Sequence, residues 1–215
     1  MAVKSGSSQH SGQPTQSPSS RAGSRHGRGR GGRLRIIAGQ WRGRKLPVAE
    51  QPGLRPTSDR VRETVFNWLA MAVPGARVLD CFTGTGALSL EALSRGATSA
   101  VMLEKSPMAI KVLNDNLSLL KASNAQTVQI DSLEWLKRPA REPFNLVFLD
   151  PPFRMDLLEP TCQLLEENAY LTEDSLIYIE TEKALSPSLP DRWLPLKSKT
   201  AGQVCFSLWS PNAQN

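Results

Sequence analysis

Histidine is almost missing from this chain of 215 residues: there are two, His10 and His26, beside three cysteines, Cys81, Cys162 and Cys205. Neither type falls at metal-ligand spacing, so no metal site is expected. An odd number of scattered cysteines also excludes a disulfide framework and suits free thiols in a reducing cytoplasm. No apolar run approaches the ~20 residues that cross a bilayer, so no membrane segment is expected. The most telling absence is of acid. Residues 1–49 hold ten Lys and Arg and no Asp or Glu, whereas 50–215 hold 16 against 20 acids. The net charge of +6 is therefore +10 in front of −4. Positive charge lies where an arm that follows phosphates would carry it.

Residues 1–33 also have almost no large apolar side chains, which predicts a disordered, basic Ser/Gly/Arg-rich tail. Its end, Arg28-Gly29-Arg30-Gly31-Gly32-Arg33, resembles an RGG-type nucleic-acid tether. An inert solubilising tail and an organellar transit peptide are the alternatives. Segments 34–38 and 45–48 read as an N-terminal β-hairpin within a unit spanning 34–55. Its loop offers Trp41, Arg42 and Arg44, an aromatic and cations suited to looped RNA; the bland alternative packs Trp41 on the body of the domain. A helix is predicted over 58–72, with Val61, Val65, Trp68 and Leu69 as its apolar stripe and Thr57 or Ser58 as N-cap. Strands and helices then alternate to about residue 169, which predicts an α/β domain over 56–215 built on a doubly wound parallel sheet. A strand at 175–181 and an antiparallel hairpin at 194–199 and 203–209 close it.

Two motifs carry chemistry. Asp150-Pro151-Pro152-Phe153 directly follows the apolar strand 144–149. The prolines fix φ and withdraw two N–H donors, leaving carbonyls as acceptors. The acid adds an acceptor and the phenylalanine a flat face. Such a platform fits a planar ring bearing an exocyclic amine, as nucleobase amino methylation requires. Upstream, Val78-Leu79-Asp80-Cys81-Phe82-Thr83-Gly84-Thr85-Gly86 joins a short strand to an apolar helix through a glycine loop. The full dinucleotide fingerprint is missing, since the third glycine of the pattern, due at position 89 when counted from Gly84, is a serine. Glu104 closes the next strand, where a ribose diol is held, and Asp131 closes the third, where it can accept from an adenine amine. Singly, Asp80, Glu104, Asp131 and Asp150 would read as turn or cap acids. Together they fall on one edge of a parallel sheet and make a site.

The chain resembles class I S-adenosylmethionine-dependent methyltransferases, and more narrowly the RsmD family of ribosomal RNA guanine-N2 methyltransferases. Arg35-Ile36-Ile37-Ala38-Gly39, Arg42-Gly43-Arg44-Lys45-Leu46, the block from Arg55-Pro56-Thr57 through Asp59-Arg60-Val61-Arg62-Glu63, the glycine loop and Asp150-Pro151-Pro152-Phe153 carry the likeness, in order. It implies a Rossmann-like, mostly parallel seven-stranded sheet with a C-terminal antiparallel hairpin. It implies that Asp80, Phe82, Gly84, Thr85, Gly86, Glu104, Lys105, Asp131 and Ser132 hold S-adenosylmethionine, with Thr57 and Arg60 against its methionine end. Asp150, Pro151 and Phe153 would be catalytic. Pro152 and Phe153, with Trp41, Arg42 and Arg44 of the hairpin, would meet a 16S rRNA or small-subunit substrate. A monomeric cytoplasmic enzyme is expected. Adenine-N6 methylation of DNA or RNA, and a non-catalytic RNA-binding assembly factor, are the rival readings; a nicotinamide oxidoreductase is disfavoured by the incomplete glycine fingerprint.

Overall fold

The computed structural model describes residues 32–49 and 58–211. The tail through Gly31 and Thr57 lie outside them.

The chain opens with a two-stranded antiparallel sheet, β1 (Arg33–Arg35) and β2 (Lys45–Pro47). Leu34 and Leu46 are buried, while Arg33, Arg35 and Lys45 face outward. Helix α1 (Asp59–Trp68) begins at Ser58, whose hydroxyl accepts from Val61 N at 3.4 Å. The helix is shorter than its pattern suggested, because 69–72 fold into turns.

Then follow β3 (Arg77–Asp80), α2 (Ala87–Ser94), β4 (Ser99–Glu104), α3 (Pro107–Leu120), β5 (Ala125–Gln129), α4 (Ser132–Leu136), β6 (Phe144–Leu149) and α5 (Leu158–Glu167). β7 (Leu171–Glu182), β8 (Leu194–Ala201) and β9 (Val204–Ser210) complete the seven-stranded sheet, in the order β5-β4-β3-β6-β7-β9-β8. The first five of these run parallel and β9 and β8 antiparallel, as the closing hairpin required. β7 starts four residues earlier than expected, the extra length being taken up by a register shift opposite Phe144 and Leu146.

Chain order reverses between β3 and β6. In doubly wound sheets that is where a crevice opens at the carboxyl ends of the strands. The glycine loop after β3 and the Asp-Pro-Pro-Phe run after β6 thus leave the sheet side by side.

Helix α2 is buried at all eight positions. A helix apolar on every side is covered on every side, and here the sheet lies on one side and the hairpin on the other. Glu91 fastens the hairpin. Its carboxylate accepts from Ile37 N (2.8 Å), Ala38 N (2.9 Å), Arg95 Nε (2.7 Å) and Arg62 Nη1 (3.3 Å). Arg62, fully buried, also donates to the Arg35 carbonyl (2.7 Å) and to Asp59 Oδ1 (2.6 Å), and Asp59 binds Arg35 at 2.8 Å. At the end of α2, Gln40 N donates to the Ser94 carbonyl (2.7 Å) and Trp41 N to Ser94 Oγ (3.0 Å). A Cβ on Gly39 would stand 1.8 Å from that carbonyl, so only glycine, at φ +80°, permits this approach.

Candidate active site

Among the described residues, each of five adjacent strands brings an acid to the carboxyl edge of the sheet. In spatial order they are Asp131 beyond β5, Glu104 ending β4, Asp80 ending β3, Asp150 beyond β6, and Glu180 near the end of β7. The first four were expected. Glu180 was missed: an acid in an apolar strand reads as one outward-facing position, yet it is 7% exposed. Leu149 pairs with Ile179, which sets Asp150 beside Glu180, and Tyr178 Oη donates to Glu180 Oε2 at 2.8 Å. Burial pushes the Glu180 carboxyl up, although the tyrosine bond opposes this. Burial, then the neighbouring charges of Glu180 and Asp150, hold the Tyr178 phenol protonated.

Asp80 is 2% exposed and accepts from the Ser89 hydroxyl of α2. Burial drives its carboxyl up to about 7, against the hydrogen bonds from Ser89 and Phe82 N; nearby Glu104 adds to the rise. Glu104 is half-buried and ties the edge together, accepting from Gly84 N at 2.9 Å and Ser106 N at 2.7 Å. The loop closes with Gly86 N donating to the Thr83 carbonyl at 2.8 Å, and both Gly84 (φ +53°) and Gly86 (φ +77°) need left-handed backbone. Phe82 is half-buried and Thr85 buried. Asp131 caps α4, accepting from Leu133 N at 3.0 Å, and meets Lys105 Nζ at 3.2 Å, while Ser132 is buried and donates to the Cys81 carbonyl.

Beyond β6, Asp150 is half-buried, Pro151 buried and Pro152 exposed; Phe153 shows 44% of its surface. The aromatic is thus partly open to solvent at the edge. Arg60 is exposed on the first turn of α1.

The hairpin loop departs from expectation. Trp41 is 9% exposed and belongs to the main apolar cluster, so it packs on the domain and is not a stacking surface. Arg42 and Arg44 are exposed, but the loop is bonded to the last turn of α2, whereas the glycine loop leads into the first. At 1.5 Å per residue the two ends of α2 lie about 10 Å apart. Arg44 Nη2 donates to the Leu119 carbonyl near the end of α3, the same remote end. These arginines therefore lie at the opposite end of the sheet from Asp150, and the structure does not bring them into its site.

Cys162 is fully buried inside α5, its thiol pushed up by burial and by Glu159 and Glu166, which suits packing and not attack. Among the described residues no cluster of His, Cys, Asp and Glu suits a metal, and no helix is long and apolar enough to cross a membrane. A groove of about 580 Å³ between α4 and α5 touches the acidic edge only at Lys105 and Asp131.

The donor-acceptor chemistry of the edge can be matched to a ligand. Half-exposed carboxylates and tight glycines present acceptors and close backbone. That suits hydroxyls, amines and a positively charged group. It does not suit a pyrophosphate, whose negative charge the row of carboxylates would repel. S-adenosylmethionine, with its ribose diol, adenine amine, ammonium and sulfonium, fits.

Comparison with known proteins agrees. Residues 34–210 match the family described as conserved hypothetical protein 95. Ribosomal RNA small subunit methyltransferase D of Escherichia coli (strain K12) is 50% identical over 184 residues, covering 85% of this chain and 92% of that protein. Its Haemophilus influenzae counterpart is 48% identical over 181 residues, covering 83% and 94%. The solved structure of yhhF from Escherichia coli superposes with a TM-score of 0.78 at 51% identity, covering 85% of this chain and all of that one.

Proposed function

Because the chain belongs to the conserved hypothetical protein 95 family, that of the RsmD ribosomal RNA methyltransferases, we propose that it methylates the exocyclic N2 amine of a guanine in small-subunit 16S ribosomal RNA. At the coarser level it is an S-adenosylmethionine-dependent ribosomal RNA methyltransferase. The observation that supports methylation of an exocyclic amine is the placement of Asp150 and Pro151 next to an exposed Phe153, one strand from the glycine loop; the choice of guanine N2 rests on the family resemblance.

Asp80, Phe82, Gly84, Thr85, Gly86, Glu104, Lys105, Asp131 and Ser132 would hold the cofactor, which when bound supplies an electrophilic methyl group. Glu104, acceptor-only when ionised, suits a diol. Thr57 and Arg60 are assigned to the methionine end by resemblance. On the substrate side, an aromatic amine is a weak nucleophile because its lone pair is delocalised into the ring. Asp150 and the Pro151 carbonyl accept its two N–H groups, which favours a pyramidal nitrogen and aims the lone pair. Phe153 holds the base by stacking, worth roughly 1–3 kcal/mol. Catalysis here is orientation and electrostatics. The base has to be unpaired or swung out of its helix to reach the edge. Arg42 and Arg44 are assigned to RNA remote from the reacting base, as a large ribosomal substrate allows. The reaction is placed in the cytoplasm, on a monomer.

The test is methyl transfer from labelled S-adenosylmethionine to small subunits lacking the modification, to naked 16S rRNA and to duplex DNA, with the product nucleoside identified by mass spectrometry. N2-methylguanosine from the ribosomal substrates is expected. N6-methyladenine would overturn the base assignment, and absence of transfer despite cofactor binding would overturn the enzymatic reading. Asp150→Ala is expected to abolish transfer and leave cofactor affinity unchanged.

A further inference from the structure

The segment after Phe153 is unusual in its backbone. Arg154 (φ +62°) and Asp156 (φ +49°) both adopt left-handed conformations, two residues apart. Arginine gains nothing intrinsic from that region, and such outliers persist where the surroundings or the function require them. Local contacts do little to account for the one at Arg154. Among the described residues its guanidinium meets a carboxylate at Glu182 Oε1, 3.9 Å away and beyond hydrogen-bond length, with 88% of its side chain exposed. Met155 is 59% exposed. Glu182 ends β7 and starts a turn in which Leu185 N donates back to its carbonyl at 3.0 Å; Leu185 is 50% exposed. Phe153 and Met155 flank Arg154 in the chain and Leu185 follows Glu182 by three residues, so exposed apolar side chains accompany both members of this loose pair.

We propose that the surroundings of this pair are a second substrate site: Arg154 takes a backbone phosphate of the single-stranded RNA next to the methylated base, and Met155 and Leu185 pack against the neighbouring base or ribose. The site rests on the methyltransferase reading above. Its chemistry is that of single-strand grooves, where a cation follows the backbone and flat apolar surface receives bases without regard to sequence. Glu182 acts as a stand-in for the phosphate, holding the guanidinium at a distance that a phosphodiester oxygen can better.

The experiment measures binding of the full chain to unmodified small subunits across a salt series, alongside steady-state transfer. Loss of one single-strand phosphate contact makes the slope of log affinity against log salt shallower by about 0.7. Arg154→Ala is expected to show that change and a raised KM for the particle, with kcat, melting temperature and S-adenosylmethionine affinity as in the wild type. Glu182→Gln, which releases the arginine, is expected to lower KM. Met155→Ala is expected to raise KM with the slope unchanged. A wild-type slope and KM in Arg154→Ala would overturn the site. Binding is read without turnover, so a wild type that transfers no methyl overturns the methyltransferase reading while the slope difference still decides this one.

Discussion

Glu91→Ala tests whether the hairpin is held by a buried charge cluster. The carboxylate is fully buried, accepts four hydrogen bonds and faces Arg62, whose side chain is 1% exposed. Removing one member of a buried ion pair leaves the other charge uncompensated, at roughly 3–5 kcal/mol. Two backbone N–H groups, of Ile37 and Ala38, also lose their acceptor, at roughly 1–3 kcal/mol each if water does not reach them. Asp59 still faces Arg62, and the contributions are not additive, so the expected loss is about 4 kcal/mol. For a domain of this size, at ~2–4 °C per kcal/mol, the melting midpoint falls by roughly 8–16 °C. Thermal and urea unfolding followed by circular dichroism give the size of the loss, and hydrogen exchange locates it at the amides of Ile37 and Ala38. The double variant Arg62→Met with Glu91→Leu removes both charges and is expected to lose less than Glu91→Ala alone. A Glu91→Ala protein within about 1 kcal/mol of the wild type would refute the reasoning.

Gly39→Ala sets a Cβ against the Ser94 carbonyl in a backbone region that costs a non-glycine residue roughly 1–3 kcal/mol; limited proteolysis is expected to open the 36–44 segment first. Asp80, with its carboxyl at about 7 in the fold against 3.8 ordinarily, contributes a stability that is complete below the lower value and lost as pH rises through the upper one. The melting temperature of the unliganded protein should therefore decline across that window by an increment that Asp80→Asn abolishes. If the cofactor lies against Asp80 as proposed, its positive charge favours the ionised carboxylate, so calorimetric affinity for S-adenosylmethionine is expected to rise with pH up to about 7 and level off above it in the wild type, and to stay flat and weak in Asp80→Asn. Phe153→Ala is expected to raise the KM for RNA about tenfold or more, from the stacking energy of one base, with cofactor affinity unchanged.

The sheet and the acids at its edge were legible because parallel strands buried on both faces write themselves as short apolar runs, and Asp80, Glu104 and Asp131 each end or follow one. The closing antiparallel hairpin was equally plain. Glu91 was not. In Ala-Leu-Ser-Leu-Glu-Ala-Leu-Ser the acid reads as the solvent face of an amphipathic helix, although the lack of any second polar stripe was a signal that every side is covered. Trp41 was ambiguous in principle, since an aromatic among arginines has the same local sequence whether it meets a base or a core. Where its loop lies was beyond local pattern altogether: nothing in 34–48 records which end of α2 receives it. Glu180 was hidden by its strand, where the register with β6, and not the local alternation, decides that it stands beside Asp150.

Helix α2 serves two masters. Ser89 holds the buried edge acid Asp80, while Glu91 and Ser94, two and five residues on, hold the hairpin. The hairpin is consequently not a detachable accessory that protein engineers could exchange to retarget the enzyme. A graft of residues 32–49 from a relative would arrive at a socket cut for Gly39 and for the Ile37 and Ala38 amides, and re-cutting that socket would alter the helix that shapes the glycine loop. Any exchange of the hairpin therefore has to respect Arg62 of α1 and Glu91 and Ser94 of α2, which hold it.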